Sequence, residues 1–385
     1  MKHVNYNNCI VGIPNSVLKN FGLKELNQSN RLIDEYIKKF NPRNIVVVLC
    51  DGMGHNFLNA NLSAESFLRR KEETTITSVF PPTTTAATTS IITGLYPNEH
   101  CWLGWDNYVA ELDKVITMFL NKEKDTDIPF DIPNICGEIF PYKTIFETIN
   151  ESRAAKATYI SPYAVEADLK YNTFDEMCKH IRTLCSSGRN FVYAYYENPD
   201  SLMHKYGIKS DKVVENIQVI NKKLEELSAC LEDTLLIITA DHGLTENKYI
   251  YIEDDKELFD CLIHTTSIDS RASIFFLKDG CVERFIDIFN QKYNDKFLLL
   301  SKKEIIEKRL FGIGKDNDKF KSCLGDYIAI SISDKSFKYV RHGKEMLANH
   351  AGLTEDEVDV PLILEYTKKR WCYANIIYKR RTSII

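Results

Sequence analysis

Residues 45–54 read IVVVLCDGMG. An apolar, largely β-branched run cut off by an aspartate and two glycines has the texture of a strand buried on both faces of a parallel sheet. The same texture recurs at 191–196 (FVYAYY), 235–239 (LLIIT) and 361–364 (PLIL). Helical spacing fills the intervals. In 211–231, Val214, Ile217, Ile220, Leu224, Leu227 and Leu231 recur at intervals of three and four, which predicts an amphipathic helix; 173–185 reads as another. Strands alternating with helices predict an α/β fold with a mostly parallel central sheet. In such sheets ligands bind beyond the carboxyl ends of the strands. Asp51, Asp200, Asp241 and His242 each follow a strand-like run, so residues far apart in the chain are expected to meet at one sheet edge.

From about residue 252 to 333 the texture changes. RASIFFLKDG, ERFIDIFNQKYN, KFLLLSKKEIIEKRLFG and LGDYIAISIS predict strand, helix, strand, short helix and strand. The expectation is a catalytic core formed by 1–251 and 334–385, with 252–333 as a small inserted α+β subdomain resembling a cap. Residues 371–385 (WCYANIIYKRRTSII) read as a terminal strand pair.

The chain has 385 residues, 44% of them hydrophobic, enough for a large core. Its 54 acidic and 49 basic residues give a net charge of −5, which argues against a nucleic-acid polymer as partner. A small nucleotide remains compatible, since metals can supply local positive charge. The 11 cysteines are scattered and odd in number, the pattern of a reducing compartment. The opening MKHVNYNNCIVGIPNS lacks the apolar run of a signal peptide. Runs such as IVVVLC are too short to span a bilayer. A soluble cytoplasmic protein with no membrane partner is expected.

Six candidate metal ligands fall in four segments: Asp51 in VVVLCDGMG, Asp200 and His204 in ENPDSLMHKYG, Asp241 and His242 in IITADHGL, and His350 in NHAGL. On one helical turn, residues i and i+4 share a face, so Asp200 and His204 can bind one ion. Asp241 and His242, being adjacent, point to different sides, which suits ligands shared around a metal centre. Each residue alone also has an ordinary structural role, as helix cap, turn or surface pair. The combination is what points to chemistry. Between the first two segments lies FPPTTTAATTSIITGLYPNEH (80–100). A threonine hydroxyl there becomes a nucleophile if a metal lowers its pKa, and composition alone does not choose among Thr83, Thr84, Thr85, Thr88 and Thr89.

Taken together, DGMG, FPPTTTAATTSIITGLYPNEH, NPDSLMHKYG, TADHGL and NHAG resemble the nucleotide pyrophosphatase/phosphodiesterase family (type I phosphodiesterases) of the alkaline phosphatase superfamily. The resemblance implies an alkaline-phosphatase-like fold with helices on both faces of the sheet. Its nucleophilic threonine lies nine residues before the TGLYP-like segment, here at Thr84. It also implies Asp51, Thr84, Asp241 and His242 as ligands of one divalent metal, and Asp200, His204 and His350 as ligands of a second. Zinc is the family's usual ion, and manganese also suits such ligands. Two departures stand out: Ala87 replaces an asparagine common in the family, and the His-Gly that follows TGLYP there is absent here. Asn107 and Trp105 are the candidate substrate contacts. Trp102, Trp105 and Tyr108 could stack on a base or simply pack a loop.

The expected activity is two-metal hydrolysis of a phosphodiester or nucleotide pyrophosphate bond, through a covalent phosphothreonine, on a small phosphorylated substrate. The rivals are a phosphomonoesterase or phosphonate hydrolase on the same scaffold. A sulfatase would need a modified Cys or Ser nucleophile, and a mutase would share the ligands. A catalytically silent, metal-stabilised binding protein would have no reason to keep Thr84 with all six ligands.

Overall fold

A computed structural model describes residues 1–126, 128–164 and 167–368; the strand pair expected at 371–385 lies outside them. The expected strand after Arg43 is Asn44–Cys50, buried along its whole length. It sits at the centre of a six-stranded sheet, paired in parallel with Asn190–Tyr196 on one side and Thr234–Thr239 on the other. Lys156–Ile160 extends the parallel run beyond Asn190–Tyr196. The two remaining strands, Asp359–Thr367 and Glu72–Thr77, complete the far side. Helices Gly12–Asn20, Ile145–Ser152, Phe174–Cys185 and Asp211–Cys230 pack their apolar faces into the same core.

Two expectations are corrected. The 361–364 run lies in a strand, but that strand is antiparallel to both of its neighbours. The reason is where the chain stands when the strand begins. His350 and the short helix Glu355–Val358 precede it directly, and Asp359 pairs with Thr77 while Thr367 pairs with Thr234, the first residue of its own strand. The strand therefore starts at the carboxyl edge of the parallel strands and runs back. In the long helix, the residue buried at the first turn is Val213 rather than Val214. It packs with Met203, Leu244 and Ala348, beneath segments that carry metal-ligand candidates.

A second, seven-stranded antiparallel sheet lies beside the first. The elements expected after residue 270 are present in order: Ala272–Phe275, Val282–Lys292, Phe297–Ser301, Lys302–Glu307 and Tyr327–Ser331. The sheet also takes in Asp106–Val109, Lys114–Thr117 and Lys122–Glu123, joined through a pairing of Ile268 with Asp106. It thus combines strands from within 252–333 with strands from well before it. The ten described cysteines are free thiols. Among the described residues, no helix is long and apolar enough to cross a membrane.

Candidate metal centre and nucleophile

Parallel pairing brings the Asp51, Asp200 and Asp241–His242 segments together. Asp51 is the first residue after its strand, and its backbone N–H donates to Tyr196 O at the end of the neighbouring strand. Asp200 N in turn donates to Asp51 O, 3.0 Å away. The turn between them leaves no room for a side chain. Gly52 has φ +72°, and a Cβ there would lie 2.6 Å from Leu244 Cδ1 and 2.8 Å from Asp200 Cβ. Gly243 is equally confined, since a Cβ would fall 2.0 Å from Asp356 O. These glycines let three ligand-bearing loops touch through their backbones.

Asp200 opens the helix Asp200–Tyr206, which places His204 one turn further along it. His204 Nε2 lies 3.2 Å from Asp200 Oδ1, and His350 Nε2 lies 3.9 Å from the same oxygen. These three form one cluster able to hold a metal ion. His204 Nδ1 is 2.7 Å from Ala348 O. A carbonyl only accepts, so Nδ1 carries the hydrogen and Nε2 is left as the ligand atom.

The second cluster surrounds His242 Nε2. Around it lie Thr84 Oγ1 at 3.1 Å, Asp51 Oδ1 at 3.4 Å and Asp241 Oδ2 at 3.5 Å. His242 Nδ1 is 3.2 Å from Gly243 O, which fixes its hydrogen on the far side of the ring. Thr84 Oγ1 is also 3.5 Å from Asp51 Oδ2. Asp51, Asp200 and His242 come close enough to share an ion, so Asp200 stands between the two clusters. His242 and His350 stack with ring centroids 3.9 Å apart.

The electrostatics fit divalent cations. Asp51 Oδ1, Asp200 Oδ1 and Asp241 Oδ2 are buried without a hydrogen-bond partner. Burial, reinforced by the charges of Asp241 and Asp200, raises the Asp51 pKa well above the usual carboxylate range. Burial and the Asp200 charge push Asp241 up to about 7. Burial opposes the His204 cation, but Asp200 outweighs it and lifts His204 to about 9. Buried carboxylates that repel one another, each with one oxygen lacking a donor, are relieved by a bound dication. The set of carboxylate oxygens and imidazole nitrogens suits a transition metal.

Thr84 is the first residue of the helix Thr84–Thr93. Two nearby threonines are committed elsewhere: Thr83 Oγ1 donates to Asp269 Oδ2 at 3.0 Å, and Thr88 Oγ1 to Thr84 O at 2.6 Å. Thr84 thus stands at a helix N-terminus, where the first-turn N–H groups lack intrahelical partners, a setting that favours a phosphate oxygen.

The aromatic and amide candidates are placed differently. Asn107 is buried, and its Nδ2 donates to Cys101 O at 2.7 Å. Trp105 is 38% exposed and meets Phe119 edge-on. Trp102 is buried, donates from Nε1 to Phe140 O, and lines a cavity of about 580 Å³ together with Phe140, Tyr142 and Tyr159. None of the ligand candidates lines that cavity. Tyr108 stacks on His264.

Sequence reasoning missed two groups that hold candidate ligands. Tyr195 Oη donates to Asp51 Oδ2, and Ser78 Oγ donates to Asp241 O. Tyr195 was findable only through strand register, since Cys50 pairs with Tyr196.

No curated protein matches the chain at the sequence level. Solved structures do match its fold. Murine ectonucleotide pyrophosphatase/phosphodiesterase 5 superimposes with TM-score 0.64 at 17% identity, covering 89% of this chain and 96% of that one. The human protein gives 0.63 at 18% identity, with the same coverage. Phosphonoacetate hydrolase from Sinorhizobium meliloti, in complex with phosphonoformate, gives 0.61 at 16% identity, covering 85% and 91%. The murine protein is also known as an inactive threonine-to-alanine variant in complex with AMP. The family model for type I phosphodiesterase/nucleotide pyrophosphatase matches residues 45–280, more than half of the chain. On that match the chain belongs to the type I phosphodiesterase/nucleotide pyrophosphatase family, a group of metal-dependent phosphohydrolases.

Proposed function

We propose that this enzyme cleaves a phosphodiester or nucleotide pyrophosphate bond with two divalent metals, zinc in the first place, through a covalent intermediate on Thr84. The placement of one hydroxyl carries the proposal: Thr84 Oγ1 lies 3.1 Å from His242 Nε2 and 3.5 Å from Asp51 Oδ2, at the first residue of a helix. Asp51, Asp241 and His242 would hold one ion beside it, and Asp200, His204 and His350 the other. When bound, the ions supply the positive charge that lowers the Thr84 pKa and neutralises the nonbridging phosphate oxygens. Thr84 Oγ1 bonds to phosphorus as the bond to the leaving oxygen breaks, and water then cleaves the phosphothreonine. The complex of the murine neighbour with AMP supports a small nucleotide-like substrate. The free thiols support a reducing, cytoplasmic setting. A second reading, phosphonate hydrolysis, is favoured by the fold's likeness to phosphonoacetate hydrolase.

Two measurements test this. Elemental analysis of the purified protein is expected to give two transition-metal ions per chain, with zinc restoring activity after chelation. Metal-free protein that stays inactive with added Zn²⁺ or Mn²⁺ would remove the site. In a panel of nitrophenyl phosphate, bis-nitrophenyl phosphate, a nitrophenyl nucleotide and phosphonoacetate, the diesters are expected to turn over fastest. A monoester preference of about tenfold or more, roughly 1.4 kcal/mol in barrier, would make the enzyme a phosphatase, and turnover of phosphonoacetate alone would establish the second reading.

A further inference from the structure

The strands Ser267–Asp269 and Ala272–Phe275 of the second sheet form a hairpin whose two-residue turn is Ser270–Arg271. Hairpin turns normally face solvent with polar side chains free. This one is inverted. Arg271 is fully buried, and Asp269 is 8% exposed. Three consecutive side chains reach three separate pieces of the candidate metal centre's surroundings.

Asp269 Oδ2 accepts from Thr83 Oγ1 at 3.0 Å, immediately before Thr84. Thr83 is the N-cap of its helix, yet its hydroxyl makes no cap bond there, so the link to Asp269 is the bond its hydroxyl makes. Ser270 Oγ accepts from Asn349 Nδ2 at 2.8 Å, and Asn349 Oδ1 accepts from His350 N at 2.9 Å. Arg271 forms a two-pronged ion pair with Glu357, Nε to Oε1 at 2.6 Å and Nη2 to Oε2 at 2.8 Å, both side chains fully buried. Glu357 Oε1 also accepts from Gly352 N at 2.7 Å, and Glu357 O accepts from Gly243 N at 2.9 Å, next to His242.

We propose that Asp269, Ser270 and Arg271 are positioning residues of the metal centre: the turn holds the nucleophile segment, the His350 loop and the His242 loop at fixed separation from the second sheet. The proposal rests on the assignment of Thr84 and the six ligands made above. A ligand's outer partners fix its orientation, and their loss typically weakens metal affinity or activity about 10- to 100-fold. The three arms differ in what they hold. The Thr83–Asp269 arm touches the nucleophile segment, so its loss is expected in kcat, with zinc affinity little changed. The Ser270–Asn349 and Arg271–Glu357 arms back the histidine loops, so their loss is expected first in zinc affinity.

The experiment uses the full chain, with zinc affinity measured against a competing chelator without substrate, kcat and KM on bis-nitrophenyl phosphate, and Tm. Thr83→Val and Asp269→Asn are expected to lower kcat about 10-fold or more with KM nearly unchanged, and Ser270→Ala to weaken zinc by a similar factor. Arg271→Met strands a buried carboxylate and is expected to unfold readily. Adding Glu357→Leu removes that charge, and replacing both partners of a buried ion pair by apolar groups is often neutral for stability. The double variant is therefore expected to recover Tm while keeping weakened zinc binding. Full recovery of zinc affinity and kcat with Tm would reduce the pair to a role in stability and overturn its part. Wild-type values in Thr83→Val and Ser270→Ala would overturn the proposal outright; those two carry the test if the double variant does not fold. Thr84→Ala and His204→Ala run alongside: full activity in them removes the site assignment itself, whereas their loss beside unaffected turn variants removes only the turn's role.

Discussion

Thr84→Ala is expected to lower kcat by about 10² or more, the scale on which removal of a nucleophile is felt even when the rest of the machinery stays. Metal content should persist, because Asp51, Asp241 and His242 remain around the same point. Substrate affinity should change less than kcat. Thr84→Ser keeps a hydroxyl at the position 3.1 Å from His242 Nε2 and should retain part of the rate. Thr85→Ala should be milder, since the resemblance and the geometry both select Thr84. Rapid quenching with labelled substrate is expected to leave label on the peptide containing Thr84. Label elsewhere, or a Thr84→Ala variant as fast as wild type, would replace covalent catalysis by direct attack of water.

The second large effect is expected on removing a ligand from each cluster. His204→Ala takes away the imidazole whose orientation Ala348 O fixes, and Asp241→Ala takes away a buried carboxylate 3.5 Å from His242 Nε2. Loss of an outer partner costs about 10- to 100-fold, so loss of a ligand should exceed that in activity under limiting metal. Neither change should unfold the chain. Asp241 is one of three buried carboxylates that repel one another, and burial with Asp200's charge holds it up at about 7, so losing its charge offsets the loss of its bonds from Gly52 N and His242 N. Activity near wild type in either variant, with circular dichroism unchanged, would end the assignment of that ligand.

Much of this site was legible in the sequence because its parts obey local rules. An aspartate at the end of Asn44–Cys50, an i, i+4 pair on Asp200–Tyr206 and a ligand pair just after Thr234–Thr239 each follow from strand ends and helical spacing. Resemblance, not spacing alone, singled out Thr84. What stayed hidden was relational. The direction of Asp359–Thr367 depends on where the preceding loop leaves the chain. Tyr195 reaches Asp51 only because two particular strands are neighbours. Val213 replaces Val214 at the first turn of Asp211–Cys230 because a local layer, with Met203, Leu244 and Ala348, lies beneath it. Arg271 and Glu357 left faint local marks: an arginine beside an apolar strand, and TEDE at 354–357, which the structure shows as a capping box. Their pairing across the fold had none.

The antiparallel strand Asp359–Thr367 also bears on how the molecule is made. It slots between Glu72–Thr77 and Thr234–Thr239, so during synthesis those two strands wait with open edges until it emerges from the ribosome. His350 arrives just ahead of it, long after Asp51. A nascent chain therefore carries two unpaired strand edges, that of Thr234–Thr239 strongly apolar, the usual template for association with other chains. Closure of those edges and the arrival of the last candidate-ligand loop fall at the same stage of synthesis, so an incompletely synthesised product is an aggregation hazard rather than a weak enzyme.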